Sequence, residues 1–173
     1  MKGRKPLQLS ALILGLTGLL AAGCASRKPI PWNVVMTKST TATVPVDIIG
    51  IKSADKTEWE GRNITQYWDP TSPGYRVREE ADKIPCNLKL NEPTVVLDSS
   101  NPKWSEWFAH GVDQLLIIAN LPGDPAAFAS GAADPRRRFL LLAKKDWSPA
   151  KKNTIEITVK STQISVETPQ NAR

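Results

Sequence analysis

Short stretches in which apolar and polar residues alternate recur along most of the chain after residue 42. A period of two is typical of β-strands, because successive side chains of a strand point to opposite faces. The last stretch changes phase between Lys160 and Gln163, which predicts a bulge or a tight turn. The strand-like segments are ATVPVDIIGI, CNLKL, PTVVLD, DQLLIIANLPG, RRRFLLLAKKDW and NTIEITVKSTQISVE. About seven short strands with frequent turn residues predict a mainly β fold, a two-sheet β-sandwich with one or two short helical insertions.

Two segments between the predicted strands have helical patterns. In NPKWSEWFAHG, Asn101 is a suitable N-cap, Pro102 suits the first helical position, and Gly111 can end the helix. The bulky apolar residues of this segment recur at i, i+3 and i+4 and therefore share one face. The other segment, residues 52–76, is rich in turn residues and predicts one or two helical turns packed on the domain through aromatic side chains. These aromatics are Trp59, Tyr67 and Trp68.

The chain begins with a basic segment that is followed by an almost wholly apolar stretch over residues 7–22. This order is typical of a bacterial secretory signal, and the apolar stretch is shorter than the ~20 residues that a transmembrane helix needs. It ends in Leu20-Ala21-Ala22-Gly23-Cys24, which resembles the lipobox of bacterial lipoproteins, with cleavage between Gly23 and Cys24. The resemblance implies that the Cys24 thiol carries diacylglycerol and that added acyl chains such as palmitate complete a membrane anchor. An ordinary signal peptide followed by a chance cysteine is the alternative.

Three segments follow from this cleavage site. They are a lipoprotein signal peptide over residues 1–23, a lipid-anchored tether over 24–41, and a β-sandwich domain over 42–173. Trp32 and the pair Val34-Val35 can alternatively belong to the fold already. Ala25 and Ser26 follow Cys24, where lipoproteins retained at the inner membrane carry Asp. The lipobox resemblance therefore implies export to the outer membrane of a two-membraned bacterium, with the domain facing the periplasm.

The net charge of the chain falls in this interpretation. The formal net charge is +6, and three of these positive charges, on Lys2, Arg4 and Lys5, leave with the signal peptide. A mild basic excess spread along the chain argues against a nucleic-acid partner, which needs a clustered basic face. The one basic cluster is Arg136-Arg137-Arg138, either a solvated loop or a contact with anionic headgroups or an acidic patch of a partner. Cys86 is the other cysteine of the chain, and we expect a buried, inert thiol; an intermolecular disulfide is the alternative.

Catalytic and metal-binding patterns are missing from the sequence. His110 is the only histidine, and its place at the end of a predicted helix suits a cation that complements the helix dipole. The sequence has no G-x-S-x-G, and its three Ser-x-x-Lys segments lack the S-D-N and K-T-G that accompany this motif in penicillin-binding enzymes. Because no His or Cys stands at ligand spacing, we expect no metal, no cofactor and no enzymatic activity. Trp59 and Trp68 are candidate partner-binding residues, since tryptophan is enriched at interfaces.

Three features of the chain together resemble one family. They are the GCAS anchor, the strand VPVDIIGI followed by aromatic helical residues, and an ending in which LLIIANLPG leads through a loop to RRRFLLLAKKDW and a final NTIEITVKSTQISVE. In this order they resemble the outer-membrane lipoproteins of type VI secretion systems, the VasD/TssJ group. The resemblance implies a small β-sandwich that docks, without catalysis, within an envelope-spanning complex. It also implies that the partner is the periplasmic part of an inner-membrane protein.

The alternative function is a free-standing periplasmic lipoprotein that binds a small ligand or a cell-wall component. An apolar cleft lined by Trp59, Tyr67 and Trp68 would favour this alternative. An exposed loop with a Trp or Leu at its tip would favour protein docking. An enzyme would need His110 in a pocket beside an acid and a hydroxyl.

Overall fold

The computed structural model describes residues 28–148 and 153–171; the signal peptide, Gly23 and Cys24 lie outside the described residues. The described residues form eight strands in two four-stranded sheets. The strands are β1 (Asn33–Lys38), β2 (Val44–Ile51), β3 (Lys83–Leu88), β4 (Thr94–Leu97), β5 (Gln114–Ala119), β6 (Arg137–Leu141), β7 (Thr154–Val159) and β8 (Ile164–Val166). The first sheet has the order β4-β1-β7-β8 and the second the order β3-β2-β5-β6. Neighbouring strands are antiparallel except β1 and β7, which are parallel.

Apolar side chains of both sheets fill the space between them, which confirms the predicted two-sheet β-sandwich. In β2, Val44, Val46 and Ile48 face this space and are fully buried. The first sheet contributes alternate residues of its two central strands, namely Val34, Met36, Ile155, Ile157 and Val159. The alternation that predicts strands in the sequence is therefore also the alternation between core-facing and outward-facing positions.

The outer face of the second sheet is covered by three short helices between β2 and β3. These are α1 (Lys56–Gly61), α2 (Ile64–Trp68) and α3 (Pro73–Glu80). Ile49 and Leu116, which point away from the sandwich core, pack against Ile64 and Tyr67 of α2. Because β2 and β5 are buried on both faces, their sequences are nearly continuous apolar runs.

Each of the last two of these helices begins at a side-chain cap. The Asn63 carboxamide oxygen accepts hydrogen bonds from the N–H groups of Thr65 (2.9 Å) and Gln66 (3.1 Å). The Ser72 hydroxyl accepts one from the N–H of Gly74 (3.2 Å), next to a proline in the first helical turn. The caps satisfy backbone donors that a short helix leaves open, and the turn-rich sequence thereby supports three helices where one or two turns were predicted.

The second helical insertion, α4 (Lys103–Ala109), closes one end of the sandwich, as the sequence predicts. Trp104 and Trp107 are buried in the core, and the Trp104 indole N–H donates to the Asp98 carbonyl at 2.9 Å. Gly111 ends the helix with a φ of 82°, a conformation that glycine adopts without steric cost. Trp107 lies directly on Gly50 of β2: a Cβ atom there would be 2.7 Å from the indole ring.

The fold begins earlier than residue 42. Strand β1 lies within the stretch 24–41 assigned to the tether, and it occupies an inner position between β4 and β7. Trp32 is also buried, donates its indole N–H to the Leu142 carbonyl at 3.0 Å and packs 5.9 Å from the Trp147 ring. The alternative interpretation, in which Trp32 and Val34-Val35 already belong to the fold, is the correct one. Strand β1 is hard to recognise in the sequence because a polar, proline-containing segment precedes it. In addition, only two positions of the strand, Val34 and Met36, carry buried apolar side chains.

The sandwich has two ends, which are named here for later use. At the N-terminal end, formed by residues 28–32, 142–148 and 169–171, Pro29 pairs with Ala143 and Trp147 pairs with Gln170. At the loop end lie the connections 39–43, 89–93 and 160–163. The last of these is the tight turn expected from the phase change, closed by a hydrogen bond from the Lys160 N–H to the Gln163 carbonyl at 2.9 Å. Among the described helices, none has the length and apolar character needed to cross a bilayer.

Candidate functional site

The aromatic residues singled out in the sequence form one cluster on the helical layer. Trp59 and Trp68 both pack against Tyr67, with ring centroids 6.3 and 5.4 Å apart and the rings edge to face. Both indoles are half-buried and belong to the small core between the helices and the second sheet. Arginine side chains cover them: Arg62 lies 5.0 Å from the Trp59 ring and Arg78 lies 4.4 Å from the Trp68 ring. In the structure, Trp59 and Trp68 have packing roles. A role of these two residues as partner contacts stays a prediction.

A buried polar network holds this helical layer to the sheet. Asp47 of β2 points outward beneath the helices and is 1% exposed. Its carboxylate accepts a hydrogen bond from the Tyr67 hydroxyl (2.9 Å) and from the Arg78 guanidinium (2.7 and 3.3 Å). Burial, followed by the nearby Asp47 carboxylate, raises the pKa of Tyr67 far above its ordinary value. Tyr67 therefore remains a hydrogen-bond donor at all physiological pH values.

The cleft next to this cluster is polar. It has a volume of about 490 Å³ and runs between α1, α2 and α3. Of the three clustered aromatics only Tyr67 lines it; the other lining residues are Thr57, Glu58, Gly61, Arg62, Asn63, Gln66 and Gly74. Trp59, Tyr67 and Trp68 therefore do not together line an apolar cleft of the kind that would favour a small-ligand function.

Arg136 and Arg137 of the basic cluster are buried. They therefore form neither a solvated loop nor a contact site for headgroups or a partner, the two interpretations offered by the sequence. Arg136 forms a buried ion pair with Asp134 at 2.8 Å and also donates to the Thr65 hydroxyl at 2.9 Å. Arg137 donates to the carbonyl of Arg62 at 2.9 Å and to that of Trp59, at the end of α1. Desolvation lowers the pKa of Arg137 from its ordinary value. These side chains tie the helical layer to β6.

The single histidine lies on the surface. His110 follows α4 and is exposed, and one ligand atom each of His110, Asp82 and Glu106 lie within 4.8 Å of one another. The Lys103 ammonium already pairs with both carboxylates, at 2.9 Å from Glu106. This arrangement holds α4 against the start of β3.

Cys86 faces the sandwich core from β3 and is half-buried. Burial raises the pKa of its thiol to about 11, with a smaller contribution from the negative charge of Asp47. Because the thiolate is the reactive form of cysteine, Cys86 is protonated and unreactive at neutral pH.

An exposed leucine stands at the loop end. Leu90 is 70% exposed at the tip of the connection between β3 and β4, and Val96 on the outer face of β4 is 53% exposed. They are the large apolar side chains that stand out as exposed in the described part of the chain. A hydrogen bond from the Lys89 N–H to the Glu92 carbonyl (3.1 Å) and a 3.3 Å ion pair between the same residues close this loop.

Sequence reasoning missed Leu90 because it continues the alternation of Cys86 and Leu88 and so looks like a strand residue. Strand β3 in fact ends at Leu88. The signal that could have placed Leu90 in a loop is the turn sequence Asn91-Glu92-Pro93 directly after it.

Comparison with known proteins gives matches among solved structures alone. No protein-family model matches the chain, and no curated protein matches it in sequence. The fold is similar to Lip of Serratia marcescens, a membrane-bound component of the type VI secretion system, at 11% identity and a TM-score of 0.48, covering 80% of this chain and 97% of Lip. It is also similar to the type VI secretion lipoprotein TssJ1 of Pseudomonas aeruginosa, at 9% identity and a TM-score of 0.46, covering 84% of this chain and 100% of that protein.

Proposed function

We propose that this chain is an outer-membrane lipoprotein, anchored through lipid on Cys24 and facing the periplasm, that serves as a non-catalytic docking component of a type VI-like secretion complex. The observation that carries the docking role is the exposed Leu90 at the tip of a closed loop. The loop lies at the end of the sandwich opposite the N-terminal end.

An exposed leucine on a rigid loop is a favourable anchor for a protein partner. Burying a Leu side chain contributes about 1.5–3 kcal/mol. The bonds between Lys89 and Glu92 fix the loop before binding, so little conformational entropy is lost on association. Val96 extends the apolar surface along β4.

The sequence resemblance supports the secretion complex as the setting. The ending that carries it corresponds to a definite order of elements: β5, a loop, β6, the buried Trp147, then β7 and β8. By the resemblance, the partner is the periplasmic part of an inner-membrane protein. The geometry of the described residues adds a face for such a partner, because the exposed Leu90 lies at the end opposite to the one where residues 28–32 enter the fold.

The test is a pull-down of the tagged, full-length protein from detergent-solubilised envelopes, read by mass spectrometry. We expect an inner-membrane secretion subunit to co-purify with the unaltered protein, and its recovery to fall about tenfold with Leu90→Asp, the effect of removing a central anchor. The matched control is Ser105→Asp, an exposed change on α4 at the other end of the sandwich. A Cys24→Ser variant, which cannot accept lipid, reports the contribution of the anchor.

Two results would contradict the proposal. Equal recovery of the partner with Leu90→Asp and with Ser105→Asp would show that the loop is not the docking site. Recovery of the lipidated protein alone would exclude the docking role and favour the free-standing ligand-binding lipoprotein.

A further inference from the structure

Two lysines lie at the N-terminal end of the sandwich. Pro29 pairs with Ala143 in an isolated antiparallel bridge, so Lys28 and Lys144, each directly next to one of the two bridged residues, lie at the same end of the sandwich. Both side chains are exposed, and Lys145 beside them is exposed as well. Positive charges held near each other repel, so this arrangement is more stable when an anion lies between or above them.

The acidic residues of the described chain do not neutralise this pair. The ion pairs found among residues 28–148 and 153–171 do not include Lys28 or Lys144. The nearest acid in sequence, Asp146, is buried. The pair therefore presents net positive charge to whatever lies in front of it.

The short connection between Lys28 and Cys24 limits which anions can lie in front of the lysine pair. Three residues separate Cys24 from Lys28, and the four residue-to-residue steps of a fully extended chain span at most about 14 Å. A lipid on Cys24 therefore holds Lys28, and with it Lys144, close to the membrane surface. Because about 14 Å is the upper limit, the lysines can approach the headgroups to within the Debye length of about 8 Å, where exposed charges still interact at physiological salt.

We propose that the N-terminal end of the sandwich faces the membrane that carries Cys24, and that Lys28 and Lys144 bind the anionic phosphate groups of its lipids. This inference rests on the lipid anchor of the proposed function. It orients the domain: the lysine pair lies on the bilayer and Leu90, at the opposite end, points away from it.

The experiment measures lysine acetylation in the full-length, lipidated protein reconstituted into vesicles. One set contains phosphatidylcholine alone, and the other an equal mixture of phosphatidylcholine and phosphatidylglycerol. Peptide mapping gives the acetylation rate at Lys28 and Lys144, with Lys89 at the loop end, also exposed, as the matched internal control. We expect the two lysines to react several-fold more slowly in the mixed vesicles, while Lys89 reacts equally in both. High salt should remove the difference, because it screens the charges.

A variant provides a second, independent measurement. Each lysine near an anionic surface strengthens binding about fivefold, so Lys28→Gln with Lys144→Gln should weaken retention on mixed vesicles about 25-fold when the lipid anchor is removed by lipase. Lys89→Gln should have no effect. Both altered positions are exposed, so the variants are expected to fold normally.

The outcomes separate this inference from the proposed function. Lipid on Cys24 together with equal acetylation rates in both vesicles would overturn the membrane-facing surface and leave the lipoprotein proposal intact. Protection in native envelopes but in neither vesicle would also overturn it, and would point to an acidic protein partner. Absence of lipid from the Cys24 peptide would overturn both proposals.

Discussion

Gly50 shows how a single residue determines where α4 can lie. It is in β2, and the indole of Trp107 occupies the space that any larger side chain would need. Trp107 is fully buried and is one of the residues through which α4, the helix that closes the N-terminal end, packs on the sandwich. A rigid aromatic ring in a dense core has little freedom to move aside.

We expect Gly50→Ala to lower the free energy of unfolding by about 2 kcal/mol, because the added Cβ overlaps the Trp107 ring. The control is Gly61→Ala at the end of α1, where a Cβ meets nothing within 4 Å. That change should leave stability equal or raise it by about 0.5 kcal/mol, since alanine restricts the unfolded chain. Urea denaturation followed by tryptophan fluorescence measures both. Equal stabilities of the two variants would show that Trp107 can shift at no cost.

Cys86 gives a prediction with a definite pH range. Because burial raises its pKa to about 11 from an ordinary value of 9.0, the rate of alkylation by iodoacetamide should rise with an inflection near pH 11. The unfolded chain ionises at lower pH, so this thiol contributes stability that is complete below pH 9 and is lost as the pH rises toward 11. Peptide mapping distinguishes Cys86 from Cys24. An inflection near pH 9 in the folded protein would contradict the buried placement of the thiol.

At the scale of elements, the helical layer is attached to the second sheet by polar contacts as much as by apolar ones. The Asp47 carboxylate lies under the helices with two donors, from Tyr67 of α2 and Arg78 of α3. At the other edge of the sheet, Arg137 of β6 donates to the carbonyl groups of Trp59 and Arg62 at the end of α1. Each of the three helices is shorter than an isolated helix needs to be stable, so these contacts determine its position.

We expect Tyr67→Phe to lower the free energy of unfolding by about 2 kcal/mol, the usual contribution of a hydrogen bond to a charged group. The control is Tyr75→Phe, which also contacts Arg78 but through a longer bond of 3.3 Å at a half-exposed position. Its effect should stay within about 0.5 kcal/mol. Because the raised pKa of Tyr67 favours the unionised folded state, the unaltered protein should also lose stability above pH 10 more steeply than Tyr67→Phe. Identical alkaline profiles of the two proteins would contradict this account.

The elements with a strong period in the sequence are those the sequence predicts correctly. β2, β5 and β7 have alternating or continuous branched residues, and α4 has a cap, an apolar face and a terminating glycine. β1 was assigned to the tether because it follows a polar, proline-containing stretch. Its place depends on a parallel partner, β7, more than a hundred residues later, which no local pattern reveals.

The candidate site was harder to predict than the fold. Trp59 and Trp68 were correctly placed on short helices against the domain, but their exposure depends on Arg62 and Arg78, which cover the rings. Arg136 and Arg137 resemble part of a solvated cluster in sequence, because their partners in the α1–α2 region are about seventy residues away. Long-range contacts of this kind carry no sequence period. Leu90 was hidden for the opposite reason, since it fits the local period of a strand that ends before it.

At the scale of the whole molecule, the two ends of the sandwich differ in chemistry. The N-terminal end carries adjacent exposed lysines, and the loop end carries the exposed Leu90. The parallel pair β1 and β7 runs from the first end to the second, so the entering chain and the apolar tip are separated by the full length of the strands. A strand of six residues spans about 20 Å. A domain built in this way can contact a membrane and a protein partner at the same time.

The start of the fold gives the last prediction. A chain that begins at Lys28 retains Trp32 and β1, and we expect it to unfold cooperatively in urea. A chain that begins at Ala42 lacks the strand between β4 and β7, which leaves the edges of both strands unpaired and removes Val34 and Met36 from the core. The loss of several fully buried side chains and the unpaired strand edges both cost free energy. Their combined cost exceeds the usual free energy of unfolding, about 5–15 kcal/mol.

We therefore expect the shorter chain to be insoluble or to unfold without a cooperative transition, and urea titration with circular dichroism measures the difference. A third chain, beginning at Asn33, keeps β1 but removes Trp32, whose indole bonds to Leu142 and packs on Trp147, together with the bridge between Pro29 and Ala143. It should fold with a stability reduced by about 3–5 kcal/mol, as for other buried tryptophans. Cooperative folding of the chain that begins at Ala42 would contradict this boundary and restore residues 24–41 to the tether. In that case the lysine pair at the N-terminal end could no longer be held at a fixed distance from Cys24.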